Sequence, residues 1–536
     1  MLMVERRSDS KLPTSNSRHV KRKDRCQMAM NRRELLQWMG GACSALALSR
    51  FASGQARRFI GTRSSLDRYR IPEWFRDAKF GIWAHWGPQS AIEDGDWYAR
   101  NMYMQGSEQY EHHLQHYGHP SKVGYKDMVK IWKAAKWEPE HLMSLYKKAG
   151  AKYFVSMGVH HDNFDLWNSK HTRWNAMNMG PKKDVVGIWR DAARKQGLRF
   201  GVSEHLWISY KWWAVSHGAD KTGGLAGIPY DGTDPKYADL YHDAACARFI
   251  NKLDWNDDGI PDAWKRHYLD RITDLIDNYQ PDLLYTDGHL PFEDYGLKMV
   301  AHLYNVSAQL HGGVTEAVYT SKEETDCAIG TCALDHERGV ADGIAEHPWQ
   351  TDTCIGQWHY KRGQQYKSAK KVVDLLVDIV SKNGNLLLNF PLPNSGELDA
   401  EEMKVLEEIT AWMAIHSEGI HATRPWKIYG EGPSTTVKID TGNFNEDKQK
   451  DLTAADIRFT AKNNTLYAFA MGWPEKALVV NALGLNGAQN PGKIGRVEVL
   501  GWKGDLKWKQ DENSLTVQMA AEKISDLAIA LKIEFA

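Results

Sequence analysis

The stretch Phe80-Gly81-Ile82-Trp83-Ala84-His85-Trp86-Gly87 decides how this chain is read. An unbroken apolar run of this length describes a strand buried on both faces. It ends on a histidine and a tryptophan rather than on an ordinary turn. The same habit recurs along the chain. The run at 153–158 leads into His160-His161-Asp162, and that at 199–203 into Glu204-His205-Leu206-Trp207. The run at 283–286 leads into Asp287-Gly288-His289, and that at 331–334 into Asp335-His336-Glu337. A sixth run covers 385–390. Amphipathic helices are predicted between them at 139–149, 185–196, 264–278 and 369–381. Strands alternating with helices imply a parallel sheet or barrel. In such a barrel the C-terminal strand ends meet on one face, where the chemistry of the fold resides. Clustered ionisable groups need partners there, so a strand-end active site is expected.

Working outward, the pattern changes near Arg424. Helical periodicity stops, and alternating runs at 436–439, 456–460, 465–471, 477–481, 496–500 and 515–518 predict a small all-β sandwich. The expected organisation is an export leader over 1–56, a (β/α)8-like TIM-type barrel over 66–420, and a C-terminal β-sandwich over 421–536.

Composition narrows the function classes. With 536 residues, 42% hydrophobic and 25% charged, the chain excludes collagen, coiled coil and disorder over its whole length. No apolar run reaches the length of a spanning helix, so no membrane span is expected. Sixty-eight Lys+Arg balance 68 Asp+Glu, which argues against a nucleic-acid partner. Trp (22) outnumbers Phe (14), and surplus indole suits the stacking of flat sugar faces. The charge balance is uneven: residues 1–56 carry 11 Lys/Arg and 4 Asp/Glu, a surplus that the remaining 480 residues cancel.

Within that leader, Asn31-Arg32-Arg33-Glu34-Leu35-Leu36 precedes a short run of small and apolar residues, followed by Ser53-Gly54-Gln55-Ala56. A basic segment, a core too short to span and a small-residue cleavage site describe an export signal. The arginine pair resembles a twin-arginine signal, with an ordinary secretory signal as the alternative, and the expected location is periplasmic or secreted. Beyond the leader stand Cys246, Cys327, Cys332 and Cys354, without metal-ligand spacing. Buried free thiols are the default for these, although Cys327 and Cys332 are close enough to bridge.

The strand ends carry no phosphate-binding loop, nucleophile elbow or HExxH spacing. His160 and His161 could ligate a metal, but neighbours on a strand end point to opposite sides. Carboxylates among aromatics and neutral hydrogen-bonding groups remain. That is the material of glycoside hydrolysis, in which two carboxyl groups flank an oxocarbenium-like transition state without a cofactor.

Several segments resemble the α-L-fucosidases of glycoside hydrolase family 29. Residues 80–87 are similar to its FGxxxHWG motif, and Val159-His160-His161-Asp162-Asn163-Phe164-Asp165-Leu166-Trp167 to its HHDGFxLW stretch. Leu283-Leu284-Tyr285-Thr286-Asp287-Gly288 resembles the strand that delivers its nucleophile. Ser381-Lys382-Asn383-Gly384-Asn385-Leu386-Leu387-Leu388-Asn389 resembles SKGGNxLLN, and Arg424-Pro425-Trp426 with Tyr429-Gly430-Glu431-Gly432 the entry to its C-terminal domain. The resemblance implies a retaining enzyme that releases fucose from fucosylated oligosaccharides or polysaccharides, and the leader adds export. It implies Asp287 as nucleophile, with His85, His160, His161 and Trp97 holding the sugar. Asp96 replaces a Glu often found beside that Trp, while His205 and Trp207 stand where the family often has Tyr. Trp358 is assigned to the pocket for the fucose methyl group. Many members carry an acid/base Glu in a PWE segment, but here Pro348-Trp349-Gln350 offers a neutral amide. The role is therefore expected at Glu337, with Glu346 as runner-up. A related α-glycosidase on the same scaffold, or an inactive carbohydrate-binding protein prompted by Gln350, are the alternatives.

A separate expectation concerns Asp254, Asn256, Asp258 and Asp262, whose spacing around Gly259 is similar to the start of an EF-hand-type loop. Lys265 stands where the twelfth-position Glu would be. A structural calcium ion is the metal expected there, against an Asp-rich turn capping the next helix.

Overall fold

The computed structural model describes residues 58–436, 442–448, 451–519 and 523–536. The leader expected over 1–56, and with it the export signal, lies outside the described residues. Eight parallel strands close a barrel: β1 (Phe80–Ala84), β2 (Tyr153–Val159), β3 (Arg199–Glu204), β4 (Leu283–Thr286), β5 (Val318–Ser321), β6 (Ala333–Glu337), β7 (Trp349–Cys354) and β8 (Gly384–Asn389). β8 pairs with β1, so no edge remains exposed. Helices that include Pro139–Lys148, Val185–Lys195, Asp262–Tyr279, Asp294–Leu310 and Ala369–Ser381 lie between the strands in sequence.

Side chains of one strand alternate between the two faces of the sheet. Trp83, Tyr153, Val155, Leu283, Tyr285, Val318, Ala333 and Leu387 pack into one buried cluster inside the barrel. A Cβ on Gly81 would stand 2.3 Å from the Tyr153 ring, so only glycine lets that ring fill the interior.

The sequence reading missed β5 and β7 and set β6 two residues early. β5 has only four residues, too few for a clear periodic signal. β7, Trp-Gln-Thr-Asp-Thr-Cys, has no apolar run because its inward side chains join a polar network. In that network Tyr153 Oη donates to Gln350 Oε1 (2.8 Å), and Gln350 Nε2 donates to Asp335 Oδ1 (2.8 Å).

Downstream, β9 (Arg424–Glu431), β10 (Ile457–Lys462), β11 (Thr465–Ala470), β13 (Ile494–Val499) and β16 (Ile529–Phe535) form a five-stranded antiparallel sheet. β12 (Ala477–Val480), β14 (Trp508–Gln510) and β15 (Leu515–Gln518) form the second sheet of the sandwich. Between the sheets lies a core that includes Phe459, Leu466, Val480, Val517 and Leu531. The strand expected at 436–439 falls almost wholly outside the described residues, and Thr436 closes a short helical turn. β9, β14 and β16 were not anticipated. A buried ion pair, Arg458 Nε to Asp378 Oδ1 at 2.5 Å, ties the sandwich to the helix before β8.

Candidate active site

The alternation that fills the barrel also builds the site. Along β4 the inward positions run Leu283, Tyr285, Asp287; along β5, Val318, Thr320, Lys322; along β6, Ala333, Asp335, Glu337. Continuing in steps of two from the apolar fillers, the same face delivers Asp287, Lys322 and Glu337 to the C-terminal end. These groups line a cavity of about 420 Å³ together with His85, Trp97, His160, His161, His205, Trp207, Asp352, Trp358 and His359. That volume suits a small-molecule site.

At its floor, Lys322 Nζ stands 3.1 Å from Asp287 Oδ1, 2.5 Å from Glu337 Oε2 and 3.7 Å from Asp352 Oδ2. Asp287 Oδ2 lies 3.2 Å from His205 Nδ1 and 3.5 Å from His161 Nε2. Burial alone would raise the Asp287 pKa, but Lys322 and the two histidines outweigh it and hold the group ionised, well below the usual carboxylate range. Glu337 behaves oppositely. Burial, with Asp287 and Asp352 nearby, pushes it up to about 7 despite the lowering influence of Lys322. Lys322 itself is held charged, because the surrounding carboxylates outweigh its burial. Two carboxyl groups beside one lysine thus have pKa values driven apart, the arrangement that separates an acid from a nucleophile.

His85, His160 and His161 form a neutral wall. Burial lowers the pKa of His85 and His160 well below the ordinary value and that of His161 to about 3. Gln89 Nε2 is 2.8 Å from His160 Nδ1, and His161 Nδ1 donates to the His205 carbonyl at 2.6 Å. Both His85 ring nitrogens are buried with no hydrogen-bond partner among the described residues, so they can meet sugar hydroxyls. His160, His161 and His205 bring nitrogens within 4.8 Å of one another, as do His85, His160 and His359. The expected divergence of His160 and His161 is therefore corrected: β2 has already ended at Val159, and strand alternation no longer applies. These groups could hold a transition metal as well as a polyhydroxylated ligand.

Asp96 accepts from the Trp358 and His359 amides at 3.1 and 2.6 Å, which fixes the segment carrying Trp358. Trp207 Nε1 donates to the Asp287 carbonyl at 2.6 Å. Glu346, the runner-up acid, is exposed three residues before β7, and the neighbouring Ala345 amide donates to the Lys382 carbonyl just before β8. It sits at the N-terminal end of the barrel, away from the cavity. Gln350 is likewise buried at the start of β7, outside the cavity lining, so its neutrality says nothing about an acid in the cavity. Glu204 is buried beneath the site, accepting from Thr286 Oγ1 at 2.6 Å and Tyr268 Oη at 2.8 Å.

In the loop expected to bind calcium, three of the four named side chains have protein partners. Asp254 pairs with Lys252 at 2.9 Å, Asn256 Oδ1 accepts from Lys211 Nζ at 2.7 Å, and Asp262 takes Arg266 and the Tyr295 hydroxyl. Among the described residues no three carboxylates of this loop approach one another closely enough to share an ion. The loop instead carries Trp255 to the cavity. Lys322, Asp352 and His359 were missed by the sequence reading. Lys322 directly follows one unrecognised strand and Asp352 lies in the other, whereas His359 was within reach, beside Trp358.

Comparison with known proteins adds the family. The family model for alpha-L-fucosidase matches residues 46–418, and that for the alpha-L-fucosidase C-terminal domain matches residues 449–534. The chain belongs to the alpha-L-fucosidase family. Its members are glycoside hydrolases. Among its relatives, tissue alpha-L-fucosidase of Rattus norvegicus is 25% identical over 88% of this chain and 90% of its own length. The alpha-L-fucosidase of Branchiostoma floridae is 25% identical over 90% and 96% respectively. Of solved structures, the Thermotoga maritima alpha-fucosidase in complex with fucose superposes with a TM-score of 0.66 at 24% identity, covering 89% of this chain and all of that one. This last likeness supports the fold, an alpha-L-fucosidase barrel with its sandwich. No helix among the described residues is long and apolar enough to cross a membrane.

Proposed function

We propose that this chain is an exported retaining α-L-fucosidase acting by double displacement on terminal α-L-fucosyl residues of oligosaccharides or polysaccharides. The observation that carries the reading is the placing of Asp287 and Glu337 against one lysine ammonium, 3.1 and 2.5 Å away. Those contacts keep the nearest carboxylate oxygens closer than the about 6.5–9.5 Å that an inverting pair leaves for water, and favour the about 5–5.5 Å of a retaining pair.

In the first step the ionised Asp287 attacks the anomeric carbon as the glycosidic bond breaks. The departing oxygen takes the Glu337 proton, leaving a β-fucosyl ester. Esterification removes the Asp287 charge that helped hold the Glu337 pKa up, so Glu337 becomes the base for the second step. It takes a proton from water as the water oxygen attacks the anomeric carbon, and Asp287 leaves as carboxylate. Neutral histidines accept and donate to the hydroxyls, and Trp358 against Trp83, with ring centroids 5.4 Å apart, offers an apolar wall to the 6-methyl group. Export is supported by the leader sequence and by the Cys327–Cys332 disulfide, which suits an oxidising compartment. Assay of aryl α-L-fucoside beside aryl α-galactoside, for wild type and Asp287→Asn, tests the reading. Selective fucoside turnover, reduced at least about 10³-fold in the variant, is expected; unchanged turnover would refute it.

A further inference from the structure

The rim of the cavity carries two large exposed aromatics that neither step of the chemistry uses. Phe444 is 58% exposed and Trp255 46% exposed, and both line the cavity. Neither exposure follows from packing needs, because each ring forgoes burial that would stabilise the fold.

Phe444 is also held in a conformation that non-glycine residues avoid, with φ of +58°. Such strain persists only where surrounding bonds over-determine it, and it concentrates at functional sites. Those bonds are visible. The Phe444 amide donates to the Glu337 carbonyl at 2.7 Å, and the Glu337 amide donates to Asn443 Oδ1 at 2.8 Å. The Glu446 amide reaches the Arg338 carbonyl at 2.9 Å, while the Glu446 carboxylate meets Arg338 Nε at 2.8 Å and Lys367 Nζ at 2.9 Å. A segment from beyond the barrel is thereby laced onto the strand end that carries Glu337. Trp255 is anchored separately: Lys211 Nζ holds the carbonyl and side chain of the next residue, Asn256, at 2.9 and 2.7 Å. Its ring lies 5.8 Å from Trp97 and 5.5 Å from His161.

An acid that protonates the glycosidic oxygen faces the leaving group, so Phe444, whose amide is bonded to the Glu337 carbonyl and whose ring lines the cavity, stands on the leaving-group side. We propose that Phe444, with Trp255 on the same rim, forms a leaving-group subsite that takes a pyranose ring by stacking on its apolar face. The inference rests on the fucosidase reading and deepens it by naming the residues that take the leaving-group sugar.

The test compares α-L-fucosyl fluoride, whose leaving group is a single atom, with an α-L-fucosyl-galactose disaccharide. The ratio of kcat/KM for the disaccharide to that for the fluoride cancels any difference in the fraction of folded enzyme. It is expected to fall about tenfold in Phe444→Ala, equivalent to about 1.4 kcal/mol, to fall in Trp255→Ala, and to recover in Phe444→Tyr. A ratio within about twofold of wild type in Phe444→Ala, or a loss that Phe444→Tyr does not restore, would overturn the subsite. A wild-type chain that releases fucose from neither substrate would instead overturn the parent reading, and the subsite with it.

Discussion

Lys322 meets Glu337 at 2.5 Å while standing 3.1 Å from Asp287, so one buried cation touches both carboxyl groups of the site. It lowers both pKa values, but only Asp287 ends below its ordinary range. The difference lies in Asp287's further contacts with His205 and His161, against the burial and the like charges around Glu337.

The pH profile follows from that split. Attack needs Asp287 ionised, so kcat/KM is lost only as pH falls through a value well below 3.8. Leaving-group departure needs Glu337 protonated, so kcat/KM is lost as pH rises through about 7. Replacing Lys322 with Met removes a charge that lowers both values. Both limbs are expected to move to higher pH, with kcat/KM down roughly 10²-fold. A profile of reduced height but unmoved limbs would show that Lys322 merely fills space.

The two candidate acids separate by variant. Glu337→Ala should cost about 10²–10⁴-fold on a sugar leaving group. The loss should be much smaller on an activated aryl fucoside, and azide should restore turnover. Glu346→Ala, at the other end of the barrel, should leave both activities near wild type. Azide rescue of Glu346→Ala and not of Glu337→Ala would reverse the assignment.

Gln350→Glu should not create an acid. Its amide donates to Asp335, whose pKa burial and neighbouring Asp352 already push well above the ordinary range. Another buried carboxyl there is expected to cost about 3 kcal/mol or more in a denaturant titration. A stable variant with raised kcat would contradict the position given to this residue.

The Cys327–Cys332 bridge closes a short loop between β5, which leads to Lys322, and β6, which carries Glu337. Loop-closure entropy puts its worth at about 2 kcal/mol. Cys327→Ser/Cys332→Ser should melt earlier than wild type by calorimetry and lose kcat/KM. Coincident melts and rates would show that the loop is held without it.

The strand that leads to Asp287 was legible because Leu283-Leu284-Tyr285 is an apolar run closely followed by Asp287-Gly288. The same holds for His85 after β1. Lys322 and Asp352 were not legible, because their strands are too short or too polar to announce themselves; a closed barrel can bury polar residues where they form networks. Phe444 was invisible for a different reason. Only tertiary folding brings a residue of the C-terminal part beside Glu337, and no local pattern encodes that. The calcium-like spacing was legible, and in the structure Asp254, Asn256 and Asp262 of that loop meet lysine, arginine and tyrosine partners.

The central claim is that Asp287 and Glu337 act as nucleophile and acid/base of a retaining pair. Proton NMR of the anomeric region during the first minutes of aryl α-L-fucoside hydrolysis tests it most directly. The account predicts α-L-fucose as the first product, followed by slow mutarotation; β-L-fucose appearing first would contradict it.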